Sequence, residues 1–282
     1  MGGLKGNFSD ITEREIIDHL LRESGQLKNQ SANPAQIIEF LKLKYITFDF
    51  KTELGQNDFL RGAPFRALIS FPDRIIATDE ELKDTQERFS IFHEIGHFVL
   101  PSHRASLYIC NPTDFDVSGK STWKLEIEAN EFASDLLFMG DRFIAEANSV
   151  SLSARIVKDL ADKYQASFEA TARRLVEKRI RPCMLVVFKK GTIHSSSPAG
   201  FEPHWSVHYC ISSPSFKNKY FTSLQGEPPK EIIPEITISG RDIADSIIQE
   251  LCISSPTGQS YRFVSEYFYN QYNIFCFLSE PA

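Results

Sequence analysis

Residues 93–97 read His-Glu-Ile-Gly-His, an H-E-x-x-H string that fixes both a secondary structure and a chemistry. On an α-helix each residue advances the chain by about 100°, so His93 and His97 stand only about 40° apart, one turn from each other. Two imidazoles on one helical face can reach a single ion. Glu94 projects beside them, placed to take a proton from an attacking water rather than to bind the ion itself. The flanks fit a helix from about Thr85 to Leu100, with Asp84 and Glu87 as a capping box and Pro101 as its stop. Phe89, Phe92, Gly96 and Val99 form the stripe expected to face inward, with Gly96 permitting close approach of a neighbouring element.

A catalytic zinc site normally takes three protein ligands, and the two histidines leave it one short. The third candidate comes from a helix expected over roughly Thr122 to Met139, closed by Gly140. On a helical wheel Glu128, Glu131 and Asp135 make a solvated acidic stripe. Glu126 and Asn130 fall instead in the arc of Trp123, Ile127, Ala133, Leu136 and Leu137. A carboxylate on an apolar face is costly unless its charge is compensated. A metal ion would do so, and so would a buried Arg or Lys. Asn130, one turn from Glu126, is positioned to hydrogen-bond a ligand histidine from behind.

At these two helices the chain resembles the ImmA/IrrE family of metallopeptidases. ERFSIFHEIGHFVL is similar to the family's R-F-T-L-A-H-E-x-G-H-x-x-L, and EIEANEFASDLLFMG to its E-x-E-A-N-x-F-A-x-x-L-L-M-P. The resemblance covers roughly residues 30–180 and extends to the helical pair in VKDLADKYQASFEATARRLVE. It implies Zn2+ held by His93, His97 and Glu126, with Glu94 as the catalytic glutamate. It implies a zinc endopeptidase acting on a regulatory protein, an XRE-type helix-turn-helix repressor, to derepress stress-response or mobile-element genes. Phe92, Pro101-Ser102-His103 and Gly140 depart from the family pattern without touching a ligand. An oxyanion-stabilising or rim residue is left open among His103, Tyr108 and Tyr164. The rival class is a non-proteolytic regulator that holds a partner protein or DNA on a retained peptidase fold.

The expected fold class is α+β: a mainly helical, zincin-like domain with a small sheet over residues 1–181, then a smaller α+β domain over 182–282. In the first, helices are expected near 10–23 and 34–43, strands in YITFDF, RALISF and RIIAT, and a helix-turn-helix-like segment at 150–180. After Arg181-Pro182 the texture becomes β-rich. CMLVVFKKGTI reads as a hairpin, WSVHYCI and KYFTSL as strands, RDIADSIIQELC as a helix, and YRFVSEYFY with NIFCFL as a closing pair. The many aromatic residues there suit a core of large rings, with a GAF-like sensor or substrate-recognition module as the functional alternative.

Composition narrows the setting. The 282 residues carry a formal net charge of −6, which argues against a surface built for nucleic acid, although the basic end of the 167–178 helix keeps direct DNA contact open. Five scattered cysteines without a C-x-x-C pair read as reduced thiols of a cytoplasmic protein. No apolar run reaches the roughly 18 residues of a membrane span, and the N-terminus lacks a signal-peptide core. His204 and His208 repeat the four-residue histidine spacing in an alternating context. On a strand they would stand about 13 Å apart, too far to share an ion.

Overall fold

The computed structural model describes residues 11–50, 52, 66–103, 107–110, 120–190, 205–224, 246–254 and 258–281. The chain divides into two compact units, residues 1–143 with 163–167 and residues 144–162 with 168–282. They are a helical unit with a small sheet and a sheet-rich unit, the α+β class expected from the sequence.

In the first unit, α1 (Glu13–Glu23) starts at a capping box: the Thr12 side chain accepts from Glu15 N–H while the Glu15 carboxylate takes the Thr12 N–H. Asn33 caps α2 (Pro34–Phe40), whose first residue is a proline that has no amide hydrogen to leave unsatisfied. A mixed sheet follows from β1 (Lys44–Phe48), β2 (Ala67–Ser70), β3 (Ile75–Asp79) and β4 (Leu107–Cys110), in the order β1-β3-β2-β4. β1 runs parallel to β3, and β2 is antiparallel to both of its neighbours.

The central helix α3 (Asp84–Val99) packs on β2 and β3 and on a second long helix, α4 (Lys120–Leu137). Because it is covered from several sides, every residue from Ser90 to His97 is buried, not just the expected stripe. The Asp84–Glu87 capping box does not form. The helix begins one residue earlier, the Gln86 side chain accepts from Lys83 N–H at 3.3 Å, and Glu87 is taken by the Tyr45 hydroxyl, which also meets Thr78 at 2.6 Å. Tertiary pairing won over local capping there. Gly96 meets the neighbouring helix as expected. A Cβ at that position would lie 3.1 Å from the Phe132 ring and 3.4 Å from the Ala129 carbonyl. α4 ends at Met139 and Gly140, both left-handed, with Gly140 N–H closing onto Asp135 C=O at 2.8 Å. Trp123 departs from the wheel and is exposed.

Next along the chain come α5 (Asp141–Ser149), not anticipated from sequence, α6 (Ala154–Tyr164) and α7 (Phe168–Glu177). The second unit's sheet is formed by β5 (Cys183–Lys190), β6 (Trp205–Ser212), β7 (Ile247–Ser254), β8 (Ser260–Tyr269) and β9 (Asn273–Ser279). Its order is β6-β5-β9-β8-β7, with every neighbouring pair antiparallel. Phe188, Phe216, Phe263, Tyr267 and Cys276 belong to its apolar core. The closing pair of strands is present as expected, and two other readings are overturned. KYFTSL lies in a helix, α8 (Pro214–Leu224): Ser213 Oγ accepts from Phe216 N–H at 3.2 Å, and Phe216 and Tyr220, four residues apart, share one buried face. The second half of RDIADSIIQELC is β7, whose alternating burial and pairing with β8 override its helical composition. Residues 241–245 lie outside the described residues.

The composition changes at Arg181-Pro182, where α7 gives way to β5, whereas the compact units divide earlier because 144–162 and α7 assemble with the sheet. Phe168 packs against Phe268, Phe275 and Phe277, and Arg179 donates to the carbonyls of Ala147 and Val150 at 3.0 and 2.8 Å. This accounts for the helix-turn-helix look of 150–180: one face of α7 is spent on packing, with Thr171, Ala172, Arg174, Leu175 and Val176 buried. Among the described residues no helix is long and apolar enough to cross a membrane.

Candidate metal centre

α3 and α4 bring together the three residues picked out from the sequence. His93 Nε2 lies 3.1 Å from His97 Nε2 and 3.1 Å from Glu126 Oε2, and His97 Nε2 lies 3.3 Å from Glu126 Oε1. A tetrahedral ion with bonds of about 2.0–2.1 Å separates its ligand atoms by about 3.3 Å. Two of the contacts end on different Glu126 oxygens, and each separation is close to that value, so the three side chains can converge on one ion. Among the described residues these three alone form a group of His, Cys, Asp or Glu that can hold a metal ion, and both histidines are buried. Two nitrogens and one carboxylate oxygen are a donor set that suits a borderline divalent metal.

The electrostatics follow from burial and pairing. Burial pushes the Glu126 carboxyl up, but hydrogen bonds from His93 and His97 outweigh it and hold the group down at about 2. Burial likewise pulls His93 down, yet the Glu126 hydrogen bond and the charge of Glu94 leave it above the ordinary imidazole value. His97 stays below that value, with burial as its chief cause. Glu94, fully buried on the same helix, adds negative charge beside the pair. Glu126 is paired with both histidines, at 3.1 Å from His93 and 3.3 Å from His97.

Behind the ligands, Asn130 Oδ1 lies 3.1 Å from His93 Nδ1, the contact anticipated from its spacing to Glu126. The three open candidates for the rim fare differently. Pro101 ends α3, and the 3-10 turn Pro101–His103 folds His103 back so that its Nδ1 lies 3.0 Å from His97 Nδ1. Its Nε2 lies 3.0 Å from Glu128 Oε2. His103 is fully buried behind a ligand with both ring nitrogens engaged, so it cannot also serve an oxyanion on the far side. Tyr164 is fully buried too, its ring set between Phe138 and Phe143, a core position rather than a rim. Tyr108 lies on β4 opposite Ile69, and its side chain is outside the described residues.

Two expectations fail here: the Pro101–His103 departure does touch a candidate ligand, through His97, and Glu128, expected on the solvated stripe, accepts from His103 and pairs with Lys124 at 3.3 Å. The His103 hydrogen bond is the main cause holding its carboxyl below the usual range. Its two-residue offset from Glu126 hides this, because such residues do not share a helical face, whereas His103 approaches from beyond the end of α3. Of the second histidine pair, His204 lies outside the described residues, and His208 is exposed on strand β6.

The model of the IrrE N-terminal-like domain, a peptidase family, matches residues 49–176, which span α3, α4 and all three candidate ligands. Among solved structures, a Mycobacterium tuberculosis transcriptional regulator is similar over 95% of this chain and 76% of its own, with a TM-score of 0.55 and 16% identity, a likeness of fold. No curated protein matches the chain by sequence.

Proposed function

We propose, from the match of residues 49–176 to the model of the IrrE N-terminal-like domain, that the chain is a zinc-dependent endopeptidase acting on a regulatory protein. The observation that carries the reading is the convergence of His93, His97 and Glu126, with contacts of 3.1–3.3 Å between their donor atoms and Glu94 buried beside them. His93, His97 and Glu126 would hold the zinc, which when bound would supply Lewis-acid chemistry at the scissile carbonyl. Glu94 accepts the proton of the attacking water and returns it to the leaving amine. Asn130 orients His93 by accepting from its Nδ1–H, leaving Nε2 as the ligand atom. The resemblance to the ImmA/IrrE family makes an XRE-type helix-turn-helix repressor the substrate class, with derepression of stress-response or mobile-element genes as the outcome.

In this reading residues 182–282, GAF-like or otherwise, form the sensing or substrate-recognition module. The free thiols of Cys183, Cys210, Cys252 and Cys276 support a cytoplasmic setting.

The test is metal analysis of the purified chain, then incubation with repressors of this class with and without a chelator. Zinc near one per chain and chelator-sensitive cleavage are expected. Glu94→Gln should keep the zinc and lower the cleavage rate by about 10²–10⁴-fold. An unchanged rate in that variant would refute the mechanism. Zinc without cleavage of any such repressor would favour the regulator that holds its partner uncut.

A further inference from the structure

We propose that His103 and Glu128 form a relay that fixes the tautomer and orientation of His97, making His103 a positioning residue for the metal. The inference rests on the reading of His93, His97 and Glu126 as metal ligands. It follows from a chain of three contacts in which each proton's place dictates the next. His97 turns Nε2 toward Glu126 and His93, so that nitrogen must keep its lone pair when it binds a metal. The ring proton of neutral His97 then sits on Nδ1 and donates to His103 Nδ1, 3.0 Å away. His103 must accept there, so its own proton sits on Nε2 and donates to Glu128 Oε2, also at 3.0 Å. Glu128 accepts only, and it is held in place by Lys124 at 3.3 Å and by the Ser102 hydroxyl at 3.4 Å. The carboxylate thus sets the tautomer of His103, and His103 sets that of His97.

The two ligand histidines are supported by different means. His93 is backed by one amide from α4, Asn130, whereas His97 is backed by a second imidazole and a carboxylate. His103 reaches its place only because Pro101 ends α3 and the following turn reverses the chain. Its position with 0% exposure keeps water from substituting for it as the acceptor. Partners of this kind raise ligand basicity, and their loss typically weakens metal binding by about 10–100-fold.

Zinc affinity, measured by chelator competition on the full chain, tests the relay. His103→Leu keeps the bulk and removes the acceptor, and should weaken binding by about 10–100-fold. His103→Asn restores an acceptor near the Nδ1 position and should recover most of that loss. Glu128→Ala, at a partly exposed site that does not threaten folding, should weaken binding measurably. The ¹⁵N resonances of zinc-loaded wild type should show His97 protonated on Nδ1 and His103 on Nε2. The reversed tautomers, unchanged affinity in Glu128→Ala, or equal loss in His103→Leu and His103→Asn at matched thermal stability would each overturn the relay. A wild-type chain that takes up no zinc overturns the metal-site reading itself, a result distinct from normal zinc binding in all three variants.

Discussion

Both units bury carboxylates, and they use them for different ends. In the first, Glu126 and Glu94 lie among imidazoles, and the negative charge is answered by groups that can also bind a metal. In the second, Glu266 is buried on β8 and accepts the backbone N–H of Ala154 at the start of α6, 3.0 Å away. That is a structural anion at a helix N-terminus, where unsatisfied N–H groups and the helix dipole favour negative charge. Other buried acids of the second unit are disfavoured from ionising. Burial raises Cys183 to about 11 and Cys276 to about 12, and pushes Tyr267 up as well. Burial alone therefore does not mark a functional site. What marks it is a buried charge whose partners are themselves ligands.

The largest expected effect that would break this contrast is loss of the metal. His97→Ala should leave less than about a tenth of the wild-type zinc, because two remaining ligands fall short of the usual three. Metal content of the purified variant checks this, and retention of full zinc would mean His93, His97 and Glu126 are not the site. Gly96→Val should come next. Its Cβ would press on Phe132 at 3.1 Å, and overpacking of this kind costs about 1–3 kcal/mol. By forcing α3 and α4 apart it should also weaken zinc binding, so thermal melts and metal titration ought to move together. Glu266→Ala should cost a similar 1–3 kcal/mol by leaving the Ala154 N–H unanswered, yet leave zinc content untouched. A change in zinc there would blur the distinction between the two carboxylates.

pH gives a gentler handle. In the metal-free site His93 holds its proton to higher pH than an ordinary imidazole, so zinc must displace a proton to bind. Affinity should fall as the pH drops from 8 to 6, in competition titrations at fixed ionic strength. An affinity flat across that range would contradict the raised value. The smallest effect concerns the second unit: buried, protonated Cys183 and Cys276 should resist alkylation in the native protein while exposed Cys252 reacts, as peptide mapping would reveal.

By itself the sequence determined which residues come together at the candidate site. The histidine spacing on one helix and a carboxylate within an apolar arc identify residues that the fold does bring together, because helical periodicity is a local property that survives any tertiary context. It also determined the helical character of the first half and the closing β8–β9 pair. Tertiary structure alone decided what local signals could not carry. KYFTSL became a helix because Phe216 and Tyr220 found the sheet's core, and IIQELC became a strand because β8 offered it a partner. The placement of His103 behind His97, with Glu128 to hold it, depended on a chain reversal and on the approach of two helices distant in sequence. Burial and hydrogen-bond partners of that kind are set by packing, which no spacing along the chain encodes.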